Sequence, residues 1–125
     1  MLTMPGRSHR GPLPSLTGQE KVLSHALKSD LEKLAVDIGE RNRFNYLKLM
    51  QTAKFIEGEM SNCGYEVKRQ RYQISNQTFE NLEVEIKGES HPEEIVIIGA
   101  HYDTVYGCPG ANDNGSGVAG LLALG

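Results

Sequence analysis

The run Ile95-Val96-Ile97-Ile98 constrains the fold of this chain more than any other stretch. All four side chains are apolar and β-branched, and no polar residue alternates with them. A strand with one solvated face alternates apolar and polar residues, whereas a strand buried on both faces is continuously apolar. This apolar run therefore predicts a strand inside a sheet that helices cover on both sides.

Two helices are predicted before the apolar run. Thr17 and Glu20 have the spacing of a capping box, and the apolar residues after them recur every three or four positions as far as Ile38. A second stripe with the same period starts after Asn42, and Gly64 is expected to end it. We expect the two helices to form a pair at the start of the domain.

Between these helices and the apolar run, the period of the apolar residues changes to two. Residues 65–74 and 82–86 show the alternation of strands, and Asn76-Gln77 is typical of a turn, so a hairpin is predicted. A polar, glycine-rich loop at residues 99–117 follows the apolar run, and the start of an apolar helix comes last. This order of elements favours an α/β layered domain.

The two ends of the chain suggest how the domain is bounded. Residues 1–16 are rich in proline, glycine and charge, which predicts an extended leader. Residues 17–125 are expected to form the N-terminal part of one domain. The sequence stops within an apolar helical segment that has no basic last turn or C-terminal cap, so we expect this domain to be incomplete after the loop that carries Asp113.

Composition excludes several function classes. The 125 residues carry 13 Lys and Arg against 16 Asp and Glu, a formal net charge of −3, so a general nucleic-acid partner is not expected. No apolar stretch approaches the roughly 18 residues of a membrane helix, and no membrane segment is predicted. Cys63 and Cys108 are too few for a disulfide framework. The compartment and the oligomeric state stay open.

Candidate chemistry follows the apolar run directly, where sites of open α/β sheets lie. His101 and Asp103 are separated by one strand period, so their side chains can point the same way, and a carboxylate can orient an imidazole. Asp113 lies in the glycine-rich loop, where its two carboxylate oxygens can bridge two metal ions. A second interpretation makes His101 a hydrogen-bonded turn residue and Asp113 a helix cap. The loop lacks both nucleotide-binding glycine patterns, so no nucleotide cofactor is expected.

Two segments carry a resemblance to a known family. Residues 95–103 read I-V-I-I-G-A-H-Y-D, and residues 110–117 read G-A-N-D-N-G-S-G. Shorter pieces upstream agree: I-G-E-R-N at 38–42, G-Y-E-V at 64–67 and N-L-E-V-E-I at 81–86. Together they resemble the zinc aminopeptidases of the twenty-eighth metallopeptidase family, over nearly the whole chain after Pro12.

The resemblance implies a fold, a reaction and a role for each candidate residue. The implied fold is a three-layer, phosphorylase/hydrolase-like domain with a mixed, largely parallel sheet between helices. His101 would ligate one of two zinc ions, Asp113 would bridge both, and Asp103 would orient His101 for catalysis. A cis peptide bond is implied after Asp113. The implied substrate is a peptide that loses its N-terminal residue, with a glutamate as general base.

The sequence departs from the family pattern after Asp113. The family needs an adjacent pair of glutamates, a further acidic ligand and a final histidine downstream of this motif, and residues 114–125 contain none of them. A catalytic zinc normally has three protein ligands, so we expect the 125 residues alone to be inactive and the longer parent to be the enzyme. Alternatives are a non-catalytic peptidase-like binding or scaffold domain, and a related zinc amidohydrolase or cyclase.

Overall fold

Helices form the first half of the chain in the computed structural model, which describes Gly6 and residues 9–125. Helix α1 spans Gly18–Glu32 and continues as a π-helical turn, Lys33–Ile38. The predicted capping box is confirmed, because Thr17 Oγ1 accepts a hydrogen bond from the backbone N of Glu20 at 3.2 Å and Glu20 Oε2 accepts one from the backbone N of Thr17 at 2.7 Å. The leader predicted at 1–16 lies partly outside the described residues, and residues 9–16 contain no helix or strand.

The capping box makes a measurable contribution to the stability of α1. We expect Thr17→Ala to lower the free energy of unfolding by about 1 kcal/mol, because the backbone N–H of Glu20 loses its acceptor. Urea denaturation followed by circular dichroism measures this loss. Ser15→Ala, two residues before the cap, is the control and should leave the midpoint in place. An unchanged midpoint for Thr17→Ala would contradict the prediction.

The second helix starts where the sequence predicts. A short 3-10 turn, Arg43–Asn45, leads into α2, which spans Tyr46–Asn62. Asn42 Oδ1 accepts hydrogen bonds from the backbone N of Phe44 at 3.0 Å and of Asn45 at 3.2 Å, and so caps this turn. Gly64 follows the helix with a φ of 93°, a conformation that glycine adopts without a steric cost.

A hairpin is present, but its second strand lies earlier than the predicted residues 82–86, and its turn is one residue earlier than expected. Strand β1, Lys68–Ile74, pairs antiparallel with β2, Gln77–Glu83. The two turn residues are Ser75 and Asn76, with φ values of 48° and 65°. Positive φ at both central residues is the conformation of a type I′ turn, whose twist matches that of the flanking strands.

The structure differs from prediction at the apolar run, residues 95–98. Within the described residues this run forms no strand, and its four side chains are 67–89% exposed. The reason is physical: apolar content favours burial, but a strand also needs a neighbouring backbone, and β1 and β2 pair only with each other. The described part of the chain is therefore α/β, with one two-stranded antiparallel sheet.

The core lies between the helices. Helix α3 spans Ser116–Leu122 and packs against α1 and α2. The buried apolar cluster joins the end of the first helical segment to the other two helices, and its members are Leu34, Ile38, Ile56, Met60 and Val118. No helix among the described residues has the length and apolar character needed to cross a membrane. This core joins the helices that precede the glycine-rich loop to α3, the helix at its end.

Candidate metal centre

The structure brings together the three residues that the sequence singles out. His101 Nε2 lies 2.9 Å from Asp113 Oδ1, and His101 Nδ1 lies 3.2 Å from Asp103 Oδ1. The imidazole therefore stands between two carboxylates, one on each ring nitrogen. About half of the His101 side chain is exposed, at 51%, so the group is reachable from solvent.

The two carboxylates change the protonation of His101. Burial lowers the pKa of this imidazole, and the hydrogen bonds and negative charges of Asp113 and Asp103 raise the pKa by more, so the net shift is upward. Without a metal, the pair of carboxylates thus favours the imidazolium. A metal ion needs the neutral ring, so binding a cation between His101 and Asp113 would release the proton that the cation replaces.

His101 and Asp113 lie close enough to share a cation. Two ligands placed about 2.0–2.2 Å from a tetrahedral zinc lie roughly 3.3–3.6 Å apart. The observed Nε2–Oδ1 separation of 2.9 Å is a hydrogen-bond distance, so the two atoms would move apart by about half an ångström to hold one ion. Asp103 sits on the other nitrogen, where it can orient the ring as carboxylates do behind metal-bound histidines.

Another group of potential ligands lies away from this centre. Among the described residues, the group of three metal-ligating side chains that lie within reach of one another consists of His91, Glu93 and Glu94. All three are exposed. Acidic side chains gather on protein surfaces without binding ions, so this group identifies no site.

Tyr102 fixes the backbone between His101 and Asp103. Its hydroxyl donates a hydrogen bond to the backbone O of Glu80 in β2 at 2.5 Å. Burial first, and the nearby charge of Glu80 second, raise the pKa of Tyr102 to about 12, so the hydroxyl stays protonated and remains a donor at neutral pH. The hairpin therefore anchors the segment that carries His101.

The loop that carries Asp113 has an unusual backbone. The peptide bond between Asp113 and Asn114 is cis, as the family resemblance implies. Gly110 starts this turn with a φ of 63°, and its carbonyl accepts a hydrogen bond from the backbone N of Gly115 at 2.9 Å. Asn114 Oδ1 accepts one from the backbone N of Gly117 at 3.1 Å, at the start of α3. Asp113 thus projects from a closed turn against a helix.

Sequence reasoning missed Arg41. This residue is fully buried, and its guanidinium donates to the backbone carbonyl oxygens of Tyr102 and Gly110, both within the glycine-rich loop. The segment I-G-E-R-N at 38–42 contributes to the family resemblance but assigns no role to Arg41. A charged residue between two helices is usually solvated, so the sequence held no signal for its burial.

Comparisons with known proteins match the segment in which the candidate centre lies. The sequence profile of Peptidase family M28 matches residues 81–125, the segment that holds His101, Asp103 and Asp113. No solved structure matches the chain. Together with the relatives below, the profile supports an assignment to the class of metallopeptidases. Within that class, residues 81–125 are similar to Peptidase family M28.

Three relatives show the extent of the similarity. The chain is 33% identical over 112 residues to "Uncharacterized protein YfbL" of Escherichia coli (strain K12), which covers 80% of this chain and 34% of that protein. It is 43% identical over 51 residues to Leucine aminopeptidase 2 of Trichophyton rubrum, 41% of this chain and 10% of that one. It is 26% identical over 121 residues to Leupeptin-inactivating enzyme 1 of Streptomyces exfoliatus, 97% and 27% respectively. The chain spans about a third or less of these relatives.

Proposed function

We propose that this chain is the N-terminal portion of a two-zinc metallo-exopeptidase, an aminopeptidase that removes N-terminal residues from peptides. The observation that carries the proposal is the placement of His101 between Asp113 at 2.9 Å and Asp103 at 3.2 Å. The printed names of the relatives, among them leucine aminopeptidases, support the same reaction class.

In this proposal each of the three residues has a distinct role. Asp103 accepts the Nδ1–H of His101, which leaves the Nε2 lone pair directed at the side where Asp113 lies. His101 Nε2 would hold one zinc ion, and the carboxylate of Asp113 would be shared by both ions. When bound, the zinc pair would supply an activated water and polarise the scissile carbonyl.

The same proposal accounts for the exposed apolar run at residues 95–98. In a three-layer domain with a mixed, largely parallel sheet, this run would pair with further strands, and helices would cover its two faces. Residues 114–125 offer no acidic or histidine side chain as general base or further ligand. We therefore propose that the 125 residues bind a metal ion without hydrolysing peptides, and that a glutamate pair, a further acidic ligand and a histidine complete the site in a longer parent protein.

Metal binding tests the proposed site directly. We expect isothermal titration calorimetry to detect zinc binding to the chain, and His101→Ala and Asp113→Ala each to weaken it at least tenfold, because each removes one of two ligands. His91→Ala is the matched control, since His91 is also exposed and also stands beside acidic side chains. A chain that binds zinc as well without His101 as with it would refute the proposal.

A further inference from the structure

Arg41 is a buried cation without an acidic partner. None of its surface is exposed, and among the described residues no carboxylate lies within ion-pair distance of its guanidinium. Its acceptors are backbone carbonyl oxygens instead. Burial of a charge carries a large cost, and apolar side chains fill a core without that cost. The location of this guanidinium therefore requires an explanation beyond packing.

The guanidinium joins the two segments that carry the candidate ligands. Its Nε donates to the carbonyl of Tyr102 at 2.7 Å, one residue after His101. Its Nη2 donates to the carbonyl of Gly110 at 3.0 Å, at the start of the turn that carries Asp113. Because the guanidinium is planar and rigid, these two bonds set the spacing between the two segments.

The same residue is tied to the helical pair and to the rest of the loop. Arg41 Nη1 donates to the carbonyls of Leu34 at 3.0 Å, Gly39 at 3.1 Å and Pro109 at 2.7 Å. Its backbone N donates to Thr104 Oγ1 at 3.1 Å, and its backbone O accepts from the backbone N of Thr104 at 2.9 Å. These hydrogen bonds hold the Arg41 side chain in place against the buried helical segment.

We propose that Arg41 is a positioning residue of the metal centre, which holds the backbones that carry His101 and Asp113 close enough for the two side chains to share a cation. This inference rests on the proposed function. Arg41 donates no hydrogen bond to the side chain of His101 or Asp113, and it acts through the carbonyls of Tyr102 and Gly110. An ammonium group is a single point of charge and cannot reproduce a fork that spans both carbonyls.

The test compares metal binding by Arg41→Met and Arg41→Lys with binding by the unaltered chain. Zinc affinity is measured by calorimetry, and the visible absorption of bound Co²⁺ reports the ligand geometry. We expect at least a tenfold loss of zinc affinity in both variants, the range seen when partners behind metal ligands are removed. We also expect an altered Co²⁺ spectrum in the variant that keeps the charge, Arg41→Lys.

Three controls separate positioning from charge, from stability and from the site itself. Arg71→Met removes an exposed arginine and so causes the same loss of charge as Arg41→Met. It should leave zinc affinity unchanged. Leu49→Ala removes buried apolar bulk from α2 and should lower stability without changing the Co²⁺ spectrum. His101→Ala establishes that the measured zinc is bound at the candidate centre.

Each outcome is decisive. The positioning role would be supported if a folded Arg41 variant bound zinc more weakly and had an altered Co²⁺ spectrum. In the same experiment, Arg71→Met should keep its zinc affinity and Leu49→Ala its Co²⁺ spectrum. Folded Arg41 variants with unchanged affinity and spectrum would overturn it while leaving the proposed function in place. Failure of both variants to fold would also overturn it, in favour of a purely structural role. Zinc binding that is absent, or that is indifferent to His101, would instead refute the proposed function, and the positioning role with it.

Discussion

Gly110→Ala is expected to be among the most destabilising single substitutions in this chain. An added Cβ would lie 2.3 Å from Cγ2 of Thr104 and 2.8 Å from the backbone O of Asp113. Thr104 is buried, and the oxygen of Asp113 belongs to the backbone, so neither atom can move away at low energetic cost. The φ of 63° adds the steric penalty of the left-handed region, and together these effects should lower the free energy of unfolding by about 2–5 kcal/mol.

A second glycine separates the two causes. Gly107 has a similar φ of 76°, and a Cβ added there would meet no atom within 4 Å. Gly107→Ala should therefore show the conformational penalty alone, about 1–2 kcal/mol. Urea denaturation of both variants measures the difference. Equal losses of stability in the two variants would show that the close approach at Gly110 is not a constraint.

Leu34→Ala is expected to have an effect of similar size through the core. Leu34 is 0% exposed and packs in the buried cluster with Ile56 and Val118. Truncation removes apolar surface from this cluster and leaves a cavity, which should lower the free energy of unfolding by about 2–5 kcal/mol. Because the Leu34 carbonyl also accepts from Arg41, the loss should extend to the loop that the guanidinium holds.

Leu47→Ala is the matched control for this core substitution. Leu47 is a leucine of helix α2 that is 84% exposed, so its truncation should change the free energy of unfolding by less than about 0.5 kcal/mol. Chemical denaturation with fluorescence or circular dichroism compares the two variants. A loss for Leu34→Ala no larger than that for Leu47→Ala would mean that the cluster does not stabilise the chain.

Local elements were predictable where their determinants are close in sequence. The capping box at Thr17 and Glu20 needs only a three-residue spacing, and both of its hydrogen bonds form. The hairpin was predicted from alternation, but its turn was displaced by one residue onto Ser75 and Asn76 because pairing register and backbone φ decide together where the chain reverses.

Elements that depend on distant partners were harder to predict. The apolar run at residues 95–98 has the composition of a buried strand, yet no described strand pairs with it and its side chains are exposed. An apolar composition predicts that a segment is buried, but it does not predict which strand pairs with that segment. The residues of the candidate centre were recognisable because His101, Asp103 and Asp113 lie in two short motifs, residues 95–103 and 110–117, that resemble a known family.

Periodicity, capping and short motifs are encoded locally, so two helices, a hairpin, the α/β class and the three candidate residues could be predicted from the residues alone. The approach of Asp113 to His101 at 2.9 Å arises only on folding, and so does the contact of Arg41 with the backbone beside both, because Arg41 lies more than 60 positions from Tyr102 and Gly110 along the chain. A hydrogen bond needs contact in space, and no spacing rule connects an arginine between two helices to carbonyls in a distant loop.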